Sequence, residues 1–160
     1  MAKLKFKELK PEPNLLKLDL GCGKGMNTPE GFVKVDKNRF KGVKCVDLTK
    51  RWPWKANSVD EVQANYLLHL LTAKERVHFA NELWRVLKPD AKACLHCPHW
   101  CAARAYGDPS AQWPPVSEAW FPWLNRPWRE AQNLVDTTGL KCNFDHTLGY
   151  GLHQIIIPRN

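Results

Sequence analysis

The run LKLDLGCGKG at residues 16–25 constrains this chain most. An apolar stretch, Leu15–Leu20, leads into glycines at every second position: Gly21, Gly23 and Gly25. That pattern predicts a buried strand followed by a glycine turn. Glycine accepts positive φ and lets a ligand approach the backbone, because no Cβ intervenes. Further strands are predicted at Phe32–Asp36, Val43–Val46, Val59–Ala64, Ala91–Cys97, Lys141–Thr147 and Gln154–Pro158. A helix opens at Thr72, with Glu75 completing a capping box. Val77, Ala80, Leu83, Trp84 and Leu87 form its apolar stripe, and Lys88-Pro89 stops it. A second helix is expected around Arg129–Thr138, ending at Gly139. Residues 98–128 read as a structured loop with one short helix. Strands alternating with helical or loop crossovers predict an α/β fold on a mostly parallel sheet. Ligands bind such sheets beyond the carboxyl ends of the strands. Asp19–Gly25, Asp36, Asp47, Asn65 and His96–His99 fall at that edge.

The chain has 160 residues, of which 44% are apolar and 25% charged, enough for one core and one domain. Residues 15–160 are expected to form it, behind a basic N-terminal arm at 1–14. No apolar run approaches the roughly 20 residues of a membrane span, and the basic start has no apolar block behind it. A cytoplasmic protein is therefore expected, with its six cysteines as reduced thiols. The formal net charge is +8. Residues 1–55 carry 14 Lys and Arg against six acids, whereas residues 56–160 hold ten of each sign. A basic N-terminal third suits nucleic acid as a partner, although dispersed lysines also serve plain solubility.

The glycines alone admit several nucleotides. Asp36 ends the second strand 17 residues after Asp19, where a carboxylate can accept hydrogen bonds from both hydroxyls of a ribose. Asp47-Leu48 ends the third, where an acid can accept from an adenine amino group while an apolar neighbour packs on the ring. A nicotinamide dinucleotide would want GxGxxG and a full helix behind the loop. Only 11 residues, 21–31, separate the first two strands, and Pro29 and Gly31 interrupt them.

The segments LDLGCGKG, GFVKVD, VDLTKRWPWKANSVDEV, NYLLHL and ELWRVLKPDAKACLHCPH together resemble the class I S-adenosylmethionine-dependent methyltransferases, nearest the short bacterial and phage-type members. The likeness runs from about residue 15 to residue 100, and more loosely to the end. It implies a Rossmann-like sheet of about seven strands with helices on both faces and a shortened first crossover. It implies S-adenosylmethionine as cofactor and S-adenosylhomocysteine as product. By position, Asp19, Gly21, Cys22 and Gly23 would face the methionine part, Asp36 the ribose, Asp47 and Leu48 the adenine, and Asn65 the sulfonium.

Residues 98–128 hold five of the eight tryptophans: Trp100, Trp113, Trp120, Trp123 and Trp128. Such rings can stack on a planar substrate, but each Trp taken singly reads as core packing. The stretch resembles a short-methyltransferase pattern, Tyr-Gly-Asp-Pro-Thr-His-x-Trp-Pro-Pro. Ser110 and Ala111 stand where that pattern has Thr and His. His99 and Asp108 are the catalytic candidates for handling a proton, and His69 and His96 are further possible bases. Asp108-Pro109 equally suits a turn or helix cap. Neither an Asn/Asp-Pro-Pro-aromatic motif nor a Pro-Cys nucleophile follows the fourth strand. CLHCPHWC has Cys-x-x-Cys spacing, but strand alternation points Cys94 and Cys97 apart, so no metal site is expected. The expected function is methyl transfer by in-line displacement to an unidentified nucleic acid, nucleotide or small molecule. The alternative is a catalytically weak cofactor-binding accessory or regulatory protein.

Overall fold

A computed structural model of the chain describes residues 15–135, 137–148 and 154–158. The arm expected at residues 1–14 lies outside them. The strands are β1 (Lys17–Leu20), β2 (Phe32–Asp36), β3 (Lys44–Cys45), β4 (Val59–Asn65), β5 (Leu87–His96), β6 (Phe144–Leu148) and β7 (Gln154–Pro158). They form one sheet in the order β3-β2-β1-β4-β5-β7-β6. The first five are parallel neighbours, and β7 runs antiparallel to both β5 and β6. β1 pairs with β2 on one side and β4 on the other, so strand order reverses there. Such a reversal opens a crevice at the carboxyl edge. Leu18 and Leu20 are buried on one face of β1 and Asp19 on the other, so both faces of the centre are covered.

No helix interrupts residues 21–58. The first crossover is the short glycine-rich link expected from its length. The helices come later: α1 (Ala73–Val86), α2 (Arg104–Gly107) and α3 (Arg126–Ala131). α1 starts as expected, with the Thr72 hydroxyl accepting from the Glu75 N–H and the Glu75 carboxylate accepting from the Thr72 N–H. Its buried face differs from the predicted stripe. Phe79, Ala80, Leu83 and Val86 are buried together with Arg76 and Glu82, whereas Val77 and Trp84 lie at the margin. A hydropathy stripe cannot register buried ions that find partners. Glu82 accepts from the Trp52 N–H at 2.7 Å and from the Arg85 guanidinium at 2.6 Å.

α1 passes directly into β5, which begins four residues before the predicted Ala91. Leu87 pairs with Val59, then the register shifts before Lys92 pairs with Glu61. Pro89, lacking an N–H, falls in this irregularity, and Asp90 has φ +63° there.

Residues 98–128 contain more order than one short helix. Besides α2 they hold a 3₁₀ segment at Glu118–Leu124 and the start of α3. α3 corrects the expected helix at 129–138. The Asn125 side chain accepts from the Trp128 N–H at 2.9 Å, Pro127 fits the first turn, and Asn133 at φ +56° follows the end. Two buried arginines fasten the segment. Arg76 donates to the carbonyls of Leu68 (2.8 Å), Pro114 (2.6 Å) and Gln112 (3.2 Å). Arg129, fully buried, donates to Trp123, Leu140 and Cys142. The core reading suits Trp120 and Trp123, which pack against the core. It fails for Trp100, 46% exposed, and Trp113, 78% exposed.

Candidate functional site

The residues expected to hold the cofactor end or follow β1, β2, β3 and β4, apart from Asp19, which lies within β1. Gly21, Gly23 and Gly25 adopt φ of +72°, +58° and +69°. The chain therefore doubles back on itself, and the Gly21 and Cys22 N–H groups donate to the Val35 carbonyl at 2.8 and 3.1 Å. Gly21 is also sterically required, because a Cβ there would lie 2.9 Å from Leu67 Cδ1. A Cβ on Gly23 would meet nothing within 4 Å. The loop is thus packed behind Gly21 and open at Gly23.

Two buried carboxylates frame that opening. Asp19 accepts from the Thr28 hydroxyl, which fastens the far part of the loop to β1. Asp36, 7% exposed, accepts from the Gly23 N–H through Oδ2 and the Asn38 N–H through Oδ1, both at 2.8 Å. Each Asp36 oxygen keeps a second lone pair. Among the described residues no Lys, Arg or His pairs with Asp19 or Asp36. Burial, then the charges of Asp19 and Asp36, push the Cys22 thiol up, so it stays protonated between them. The negative potential of these carboxylates at the loop favours a ligand carrying positive charge.

The Val46 N–H donates to the Asp36 carbonyl at 2.9 Å and carries the chain to Asp47 beside the same edge. Asp47 is exposed, and its Oδ1 accepts from the Thr49 hydroxyl (2.7 Å) and N–H (2.9 Å). Those bonds lower its carboxyl below the usual range. Leu48 is buried in the core, and its carbonyl accepts from Trp52 Nε1. Asn65 ends β4 opposite His96.

Beyond Asn65 the chain turns sharply. Tyr66 has φ +55°, unusual for a residue with a side chain, and its N–H donates to the His96 carbonyl at 2.6 Å. Tyr66, His69, Leu70, Arg104, Gly107 and Asp108 line a cleft of about 550 Å³. The Tyr66 ring lies 4.9 Å from the His96 ring and 6.3 Å from the His69 ring, with the Arg104 guanidinium at 5.5 Å. His69 is buried, and its Nε2 stands 3.6 Å from Asp108 Oδ2. Burial lowers its pKa and Asp108 only partly offsets this, so His69 is neutral at pH 7.

The two catalytic candidates are therefore not partners of each other. Asp108 joins His69, which the sequence suggested only as one possible base. His99 instead contacts Glu118 through Nε2 and Cys101 Sγ through Nδ1, both at 2.8 Å. Tyr66 and Arg104 escaped sequence reasoning, since neither strained backbone at a non-glycine residue nor a contact across 38 positions leaves a local signal. Among the described residues no three His, Cys, Asp or Glu side chains converge as a metal site, and no helix is long and apolar enough to cross a membrane.

This sheet order, with its antiparallel strand inserted before the last, and this glycine-and-carboxylate edge define a class I methyltransferase fold. Residues 30–95 match the family described as a methyltransferase domain. The fold is similar to an S-adenosylmethionine-dependent methyltransferase from Archaeoglobus fulgidus, with TM-score 0.62 and 14% identity over 91% of this chain and 86% of that one. A second such enzyme, from Aquifex aeolicus, gives 0.52 and 18% over 91% and 81%. The [4+2]-cyclase SpnF is matched over only 38% of its length and 51% of this chain, with TM-score 0.43 and 21% identity. No curated protein matches the chain in sequence. Residues 30–95 are thus similar to a methyltransferase domain, and the chain shares the fold of S-adenosylmethionine-dependent methyltransferases.

Proposed function

We propose that this protein transfers a methyl group from S-adenosylmethionine to an acceptor seated in the cleft beside Tyr66. One observation carries the reading. The Gly23 N–H is tied to the buried Asp36 carboxylate, while the space over Gly23 lies open between two carboxylates that no described cation neutralises. The cofactor supplies a methyl group on a positively charged sulfur. Asp19, Gly21, Cys22 and Gly23 line its methionine part, and their negative potential suits the ammonium and sulfonium. Asp36 accepts from the ribose hydroxyls with its remaining lone pairs. Asp47, through the oxygen that Thr49 leaves free, accepts from the adenine amino group, with Leu48 setting the apolar wall behind. Asn65 adjoins the sulfonium at the strand-order reversal.

Transfer is an in-line displacement, so the residues mainly align the acceptor. Asp108, facing His69, and His99, held by Glu118, are the groups assigned to handling the acceptor's proton. The setting we infer is the cytoplasm of a bacterium or a phage-infected cell, where the basic N-terminal third suits a nucleic-acid or nucleotide partner. Incubating the protein with methyl-labelled S-adenosylmethionine and cell extract tests the activity. Label in an extract component is the expected result. Tight S-adenosylhomocysteine binding with no label transferred would replace the enzyme by an accessory protein.

A further inference from the structure

Arg104 and Asp108 stand four residues apart across α2, a spacing that ordinarily pairs opposite charges. They do not pair. Asp108 Oδ1 accepts from the Ser110 N–H at 2.8 Å and hydroxyl at 2.5 Å, and its Oδ2 faces His69. Arg104 turns to the Tyr66 ring and has no carboxylate partner among the described residues. One cleft thus holds a cation at one side, a His–carboxylate pair at the other and an aromatic ring between them. His69 Nδ1 is fully buried, so the ring meets the cleft through Nε2, the nitrogen that faces Asp108. Tyr66 is held at φ +55° to present that ring, a conformation that persists only where the surroundings impose it.

Resting on the cofactor reading above, we propose that the cleft takes a planar acceptor bearing an anionic group and an ionisable hydroxyl. Arg104 holds the anion, the Tyr66 ring stacks on the plane, and the His69–Asp108 pair receives the hydroxyl proton. The Nε2 lone pair of His69, 3.6 Å from Asp108 Oδ2, takes the proton. The acceptor's O–H bond breaks and its oxygen pair forms the new O–CH₃ bond. The methyl–sulfur bond breaks with its pair going to sulfur, which becomes a neutral thioether. The imidazolium so formed is stabilised by the Asp108 carboxylate. The charges facing His69 are Asp108 from the end of α2 and Arg76 from α1, with Tyr66 as the adjacent ring. Arg76 opposes protonation and Asp108 favours it.

Calorimetry on the protein loaded with S-adenosylhomocysteine tests this with para-hydroxybenzoate and its neutral methyl ester. The acid should bind better than the ester, and Arg104→Met should weaken the acid about tenfold while leaving the ester unchanged. Asp108→Asn keeps an acceptor for Ser110. It should leave para-hydroxybenzoate affinity within about twofold but slow its methylation at least about 100-fold. His69→Gln should remove the acid limb of the rate profile, which lies below the ordinary histidine range. Protein that binds S-adenosylhomocysteine but ignores the acid, or binds it equally after Arg104→Met, overturns the acceptor class. An unchanged rate in Asp108→Asn overturns the proton path. Failure to bind S-adenosylhomocysteine sinks the cofactor reading instead.

Discussion

The two sides of the carboxyl edge are built by opposite means. From β1 to Asn65 the backbone does the shaping: glycines at positive φ turn the loop, and N–H groups donate to carboxylates at strand ends. From Tyr66 to α3 the shaping falls to side chains: buried arginines gather distant carbonyls, and aromatic rings meet histidines. The first side is held by backbone N–H groups bonded to strand-end carbonyls and carboxylates. The second is an assembly of long-range side-chain contacts.

The largest test of this contrast is Arg129→Met. It strands three carbonyls in the core and should cost about 3–5 kcal/mol in urea unfolding. A loss under about 1 kcal/mol would show that the arginine does not hold the segment. On the other side, Gly21→Ala combines a left-handed backbone with a collision against Leu67 and should cost about 2–4 kcal/mol. Gly23→Ala meets no neighbour and should cost only about 1 kcal/mol. It should nonetheless weaken S-adenosylhomocysteine, since the new methyl enters the open space. Equal losses at both glycines would contradict a loop packed on one side and open on the other.

Tyr66→Gly should shift unfolding by less than about 1 kcal/mol, because relief of the positive φ offsets lost ring contacts, yet it should abolish para-hydroxybenzoate binding. The smallest effect concerns pH. Burial, partly offset by Asp108, lowers the folded-state pKa of His69, and burial, partly offset by Asp145, does the same for His146. As pH falls below about 6.5, the unfolded chain takes up protons before the folded one, so stability declines until the folded histidines also protonate. His69→Gln should make that decline shallower. An identical slope, or stability that rises on acidification, would count against the buried neutral imidazole.

The same contrast explains what could be read in advance. β2, β7 and the cap at Thr72 were legible because alternation, apolar runs and capping are local. The glycine loop, Asp36 and Asp47 were legible because backbone turns and strand ends leave their mark within a few residues. The partner of Asp108 was not, because His69 reaches it from 39 positions away across a turn with no glycine to announce it. α3 differs from the expected 129–138 because its start lies in the Asn125 cap two residues before Pro127, whereas Gly139 is the stronger local signal. The exposure of Trp113 follows from where the Arg76 carbonyl contacts anchor its neighbours Gln112 and Pro114, which no hydropathy value records.

Calorimetric titration of S-adenosylhomocysteine into the parent protein and into Asp36→Ala addresses the central claim most directly. The parent should bind one equivalent, and Asp36→Ala should bind at least about tenfold more weakly, having lost the ribose acceptor and the anchor of Gly23. No binding by the parent, or equal binding by both, would contradict the account.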